Sequence, residues 1–200
     1  MRPAADAVAV VLLAGGEGRR IGGAKPLRLF GGRPLLTRPL EAAMGWSDSI
    51  AVAVRDATQV GDTGNAELVL DDSAIEGPLG GLASALRFAR ERGRQAVLTL
   101  PCDMPFLPND LLQRLSAAMG VKNAAIAASG GSLHPVCGLW RMAALTALPA
   151  YAASGRRSLR GFAEAVGYVE VVWPAEPTDP FFNVNREEDL ARAERMLNGS

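Results

Sequence analysis

The sequence predicts an α/β fold: a single domain over residues 1–200, with an open, mostly parallel sheet carrying helices on both faces. Three observations carry that reading. Short, unbroken apolar runs such as AVAVVLL (7–13) and AVLTL (96–100) have the composition of central parallel strands covered on both sides. Segments with helical periodicity lie between such runs. Two of the runs pass straight into loops rich in glycine or acid, at the carboxyl ends where open sheets bind ligands.

Taken in order, residues 7–13 form the first strand and a glycine-rich loop follows over 15–24. Pro34 opens a helix, PLLTRPLEAAMGW, which Pro39 should kink or shorten because its ring nitrogen has no proton to donate. Residues 49–54 (SIAVAV) and 67–70 (ELVL) read as strands. The stretch 78–92 (PLGGLASALRFARER) is a helix with Pro in its first turn and Gly93 just past its end. After the 96–100 strand comes PCDMPFLP, then a helix over 109–119 with Asn and Asp in its first turn. Strands at 124–129 and 135–140 flank a Gly-Gly turn. Helices at 142–151 and 158–166, a strand at 168–173 and a charged helix at 186–197 complete the chain. No repeat, low-complexity tract or long linker divides it.

Composition narrows the function classes. Lys plus Arg equals Asp plus Glu at 21 each, so no basic surplus exists to neutralise a long nucleic acid. Cys102 and Cys137 stand far apart without metal-site spacing and read as reduced thiols. The first apolar run flows directly into the glycine loop with no cleavage pattern, and no stretch is long enough to cross a membrane. These features predict a cytoplasmic protein.

The loop LAGGEGRRIGGAK (13–25) holds the densest chemistry. Glycines let backbone N–H groups approach phosphate oxygens, and Arg19, Arg20 and Lys25 add positive charge. A P-loop is excluded because Lys25 follows Ala24 and precedes Pro26, and a GxGxxG fingerprint from Gly16 meets Ile21 where its third glycine belongs. The plain alternative is a solvated strand-to-helix connection, but long glycine loops inside compact domains are usually functional.

Asp103, in PCDMPF, sits between prolines at a strand end, and magnesium suits a lone carboxylate there because phosphates and water supply its other ligands. A helix cap or surface turn would use the same residue type. In DDSAIEGPLGG (71–81), Gly80 and Gly81 early in a helix cost about 1 kcal/mol each relative to Ala. That cost implies close backbone approach, either to a ligand or to a neighbouring strand. The lone histidine, His134, either contacts an anionic acceptor or is a satisfied structural residue. Asn185, in FFNVN, either orients a ligand or caps the last helix. Arg156 and Arg157, before a helix start, suit an acceptor phosphate or a solvated turn.

LAGGEGRRIGGAKPL followed by GGRPLL resembles the signature loop of the nucleotidyltransferases that activate sugars and cofactors. Its Ala-Gly-Gly form looks like the molybdenum cofactor guanylyltransferase branch. The segments CDMPF, GPLGG, HP and FFNVNREEDL are similar to that branch's CDxPF, GPLAG, HP and FxNVNTPEDL. One departure is Ala24, where many members have Asp before the lysine and one more loop residue.

The resemblance implies a Rossmann-like nucleotide-diphospho-sugar transferase fold, with a nucleotide half over about 1–120 and an acceptor half over about 121–200. It implies that Leu13, Ala14, Gly15 and Gly16 line the nucleotide and that Lys25, with Arg19, meets the triphosphate. Asp72 would lie near the nucleotide, with Asp71 as the fallback if the register slips, and Asp103 would hold Mg²⁺. Gly77, Pro78, Gly80, His134, Arg156, Asn183 and Asn185 would face the acceptor. The implied partners are GTP and molybdopterin, bare or carrying molybdenum, with cofactor-insertion chaperones or molybdoenzymes downstream. The rivals are a transferase using CTP or another NTP on a different phosphorylated acceptor, and a non-catalytic module that delivers the cofactor.

Overall fold

The computed structural model describes residues 7–16 and 24–199. Its centre is a seven-stranded sheet built from β1 (Val8–Leu13), β4 (Ile50–Val54), β5 (Glu67–Leu70), β6 (Ala96–Pro101), β7 (Ala124–Ser129), β8 (Ser132–Arg141) and β9 (Tyr168–Trp173). The remaining strands, β2 (Leu29–Phe30) and β3 (Arg33–Pro34), form a separate hairpin. The sheet order is β5-β4-β1-β6-β8-β7-β9, and only β8 runs against the others.

Burial explains why the central runs carry no polar alternation. Val8, Val10 and Leu12 of β1 point into one apolar cluster, while Ala9 and Val11 point into the other. Helices α1 (Thr37–Met44) and α3 (Leu111–Ala118) cover the first face through Leu40, Ala43, Leu111 and Leu115. The second face is covered by α2 (Pro78–Glu91), α4 (Ala143–Ala153) and α5 (Leu159–Val166), through Leu82, Leu86, Leu148 and Phe162. The last helix, α6 (Glu187–Leu197), packs on the hairpin instead, where Phe30, Leu35, Val184 and Ala193 form a third cluster.

Two local expectations change. The helix expected from Pro34 starts at Thr37, because Arg33 and Pro34 belong to the hairpin. Pro39 then falls in the first turn, where its missing N–H has no partner to lose, so no kink is needed. The hairpin turns on Gly31 and Gly32, both at positive φ, as the β7–β8 hairpin turns on Gly130 and Gly131. No helix among the described residues is long and apolar enough to cross a membrane.

Chain order locates the ligand end of the sheet. From β1 the chain proceeds outward to β4 and β5, then returns to β6 on the other side of β1. Strand order therefore reverses between β1 and β6, and a crevice opens beyond their carboxyl ends. Leu13 pairs with Pro101 in the ladder, so the glycine loop and the Asp103 turn leave the sheet side by side.

Candidate active site

The two loops meet through Lys25. Its ammonium donates to Asp103 Oδ2, and also to Asn185 Oδ1 at 2.8 Å. The side chains of Lys25 and Asp103 are only 12% and 14% exposed, so water screens this pair poorly. Burial pushes the Asp103 carboxyl above its ordinary range, with the Lys25 charge pulling the other way. Asp103 Oδ1 is buried and has no hydrogen-bond partner among the described residues. A buried carboxylate oxygen left in this state costs free energy unless a cation or donor reaches it.

A cavity of about 260 Å³ opens beside this pair, lined among others by Leu13, Gly15, Gly16, Asp71, Gly77 and Asn183. Asp103, Pro78, Gly81 and Arg55 complete most of its wall. Asn183 Oδ1 and Asp71 Oδ1 are likewise buried without hydrogen-bond partners among the described residues. Ala14 is buried and donates its N–H to the Ala53 carbonyl at 2.8 Å, which ends the strand in register. At Gly15 the absence of a side chain is a packing requirement, since a Cβ would stand 2.2 Å from Asp71 Oδ2. Among the described residues no three His, Cys, Asp or Glu side chains converge.

The paired aspartates separate. Asp71 continues the β4 ladder, its N–H donating to the Val54 carbonyl at 2.8 Å, and its side chain lines the cavity. Burial raises its carboxyl, opposed by Arg55. Asp72 instead pairs with Arg87 of α2 and accepts the Ala74 N–H at 3.0 Å. The Arg87 hydrogen bond is the main reason its carboxyl is held below the ordinary range. Asp72 lines an adjoining cavity of about 440 Å³, which shares Arg55, Asp71 and Gly77 with the first. Arg55 was not singled out from sequence, although it follows a buried strand as directly as the glycine loop does.

The acceptor-side residues divide. Gly77 and Pro78, at the start of α2, and Asn183 line the main cavity. Gly80 makes its close approach to the neighbouring loop: a Cβ there would stand 2.5 Å from the Ile75 carbonyl oxygen. His134 shares a 2.8 Å hydrogen bond with Ser129, stacks on Phe181 at 4.8 Å, and has its basicity lowered by burial against the pull of Asp179. Arg156 lies over the Tyr151 ring at 4.8 Å. The helix cap expected at Asn185 is Arg186, which leaves the Asn185 side chain for Lys25. Arg19 lies outside the described residues.

Both cysteines are free thiols and buried, and Cys137 donates to Met104 Sδ at 3.7 Å. Burial pushes the Cys102 thiol up to about 12 and the Cys137 thiol well above its ordinary value, so neither is a nucleophile near neutrality.

Ala24 carries a φ of +44°, a left-handed conformation in which Ala is strained and Asp or Asn is tolerated. Ala24→Asn is expected to stabilise the fold by about 0.5–1 kcal/mol, raising the melting temperature by roughly 2 °C in a calorimetric scan.

Comparison with known proteins agrees with the fold. Residues 10–169 match the family described as MobA-like NTP transferase domain. The chain is 41% identical over 189 residues to a molybdenum cofactor guanylyltransferase of Cereibacter sphaeroides, covering 94% of this chain and 95% of the relative. A Bradyrhizobium protein of the same name is 36% identical over 197 residues, covering 95% and 93%. Among solved structures, molybdopterin-guanine dinucleotide biosynthesis protein A of Archaeoglobus fulgidus is similar with a TM-score of 0.76 and 25% identity, over 96% of this chain and 100% of that one.

Proposed function

Since the chain belongs to the MobA-like NTP transferase domain family, we propose that this nucleotidyltransferase moves GMP from GTP to the terminal phosphate of molybdopterin, bare or metal-loaded, releasing pyrophosphate. The observation that carries the reading is the convergence of Lys25, Asp103 and Asn185 beside a cavity walled by the end of β1.

The reaction asks little covalent work of the protein. A pterin phosphate oxygen forms a bond to the α-phosphorus of GTP while the bond to the β-phosphate bridging oxygen breaks. The attacking monoester has a second pKa of about 6 and is largely ionised at neutrality, so no general base is required. Two buried thiols and a histidine engaged by Ser129 and Phe181 are compatible with that demand.

What remains is orientation and charge. Leu13, Gly15 and Gly16 would receive the nucleoside, with the Asp71 carboxylate at hand for its donors and Asp72 at the edge of the adjoining cavity. Lys25 and Arg19 would offset charge on the departing pyrophosphate. Gly77 and Pro78 set the positive end of α2 towards the same space, a suitable bed for an acceptor phosphate. Asp103 would hold Mg²⁺, and its orphaned Oδ1, with that of Asn183 in the same cavity wall, fits an ion that takes few protein ligands. When bound, the ion supplies Lewis-acid neutralisation at the α-phosphate.

The test is magnesium-dependent pyrophosphate release with GTP, CTP or ATP against purified molybdopterin. Release with GTP alone is expected. Release with CTP instead would make the chain a transferase of different nucleotide choice. GTP binding without release would make it a delivery module.

A further inference from the structure

We propose that Asp189, in the first turn of α6, is a positioning residue that sets the Asn185 amide against Lys25 and thereby fixes the lysine on Asp103, beside the cavity at the end of β1. Its consequence for turnover rests on the transferase reading above, but its structural content does not.

The argument follows a chain of contacts. Asp189 uses a single oxygen, Oδ2, to accept two backbone N–H groups, those of Asn185 and Arg186, each at 2.9 Å. Both belong to the residues just before the helix, whose donors have no partner within it. On the other side of Asn185, Val184 is buried and donates its N–H to the Asp103 carbonyl at 3.0 Å. Asn185 is therefore gripped on both flanks, by Asp103 through Val184 and by Asp189 directly. Its side-chain oxygen then accepts from Lys25 at 2.8 Å, and Lys25 spends its other described contact on Asp103. Without Asp189 one flank is free, and the amide has no fixed direction in which to hold the ammonium.

The competing accounts are helix capping, in which Asp189 accepts the Arg186 N–H alone, and charge, because acids in a first helical turn favour the helix dipole. Glu187 and Glu188 already provide that charge, and Glu187 is paired with Arg28. What only Asp189 provides is an acceptor placed for two donors. A neutral amide oxygen of the same shape would serve equally, whereas a carboxylate one methylene further out would not.

The chain contains two lysines, Lys25 and Lys122, and Lys122 is exposed. Acetylation by a limiting N-hydroxysuccinimide ester, read by mass spectrometry, therefore reports Lys25 against an internal reference. Wild type and Asp189→Asn are expected to share a low Lys25 to Lys122 ratio, and Asp189→Ala and Asp189→Glu a ratio raised roughly tenfold, in line with the loss of a residue that orients a functional side chain. Turnover with GTP should fall by a similar factor in the Ala and Glu variants, with KM for GTP moving less, and should be retained in the Asn variant. Unchanged Lys25 labelling in Asp189→Glu, or an Asn variant that behaves like Ala, overturns the proposal. Should Asp189→Ala fail to fold, the Glu and Asn pair still decides. If wild type shows no transfer while labelling follows the expected order, the function reading fails and the positioning role stands.

Discussion

Asp103→Ala is expected to lower turnover by about 10³-fold while changing the GTP dissociation constant by no more than about threefold, the pattern of an interaction made chiefly in the transition state. The asymmetry follows from where the carboxylate sits. Leu13, Gly15, Gly16 and Asp71, the cavity wall proposed to receive the nucleoside, are untouched by the change. Lys25 retains its bond to Asn185 and remains available to a triphosphate. What disappears is the carboxylate that joins Lys25 to the β6 end, with a buried oxygen that no other described residue engages. Removing it also breaks a poorly screened pair with Lys25, so a lower melting temperature is expected beside the kinetic effect, with the Asn185 oxygen still on the ammonium. Asp103→Asn is the sharper control: it keeps the shape and one acceptor oxygen but loses the charge that holds a divalent ion, and it should be nearly as slow. Pyrophosphate release and calorimetric GTP titration, both in magnesium buffer, measure the two quantities. A variant that turns over at the wild-type rate removes Asp103 from the chemistry.

How much of this was readable beforehand depends on the range of the interaction involved. The β1 and β6 strands were legible because burial on both faces leaves a continuous apolar run, and that signal is local. The site inherited this clarity, since Gly15 and Asp103 are each two residues past a strand that the composition marks. The choice between Asp71 and Asp72 was not local. Successive side chains point to opposite faces at a strand end, so one residue of register decides which carboxylate enters the cavity and which meets Arg87. That register is set by the pairing of β5 with β4, and nothing in the dipeptide encodes it. The role of Asn185 escaped for a similar reason, because its partner Lys25 is 160 residues away in the chain. The β2–β3 hairpin, by contrast, had a signal that the helical reading of 34–46 overrode, namely a two-residue Gly-Gly turn.

The two adjacent glycines of α2 are expected to answer differently to the same substitution, because they approach different neighbours. Gly80→Ala should destabilise the fold by about 2 kcal/mol, a fall of roughly 4–8 °C in melting temperature. Helix propensity alone argues the other way, since replacing a helical Gly by Ala gains about 1 kcal/mol. The gain is outweighed because the new methyl would stand 2.5 Å from the Ile75 carbonyl oxygen and 2.9 Å from that of Asp72. Those atoms are backbone, in the loop that carries Asp71 and Asp72, and can move only by shifting that loop. At Gly81 the nearest atoms are Asp71 Oδ1 and Leu13 Cδ2, both at 3.3 Å and both ends of side chains that can yield. Propensity and crowding then nearly cancel, and Gly81→Ala should melt within about 2 °C of wild type. Its cost should appear in GTP affinity instead, because Gly81, Asp71 and Leu13 share the cavity wall. Thermal melts with and without GTP separate the two cases. A Gly80→Ala protein of wild-type stability that no longer binds GTP would mean that the close approach at Gly80 serves the ligand after all, and that the Asp72–Ile75 loop yields more readily than its backbone contacts imply.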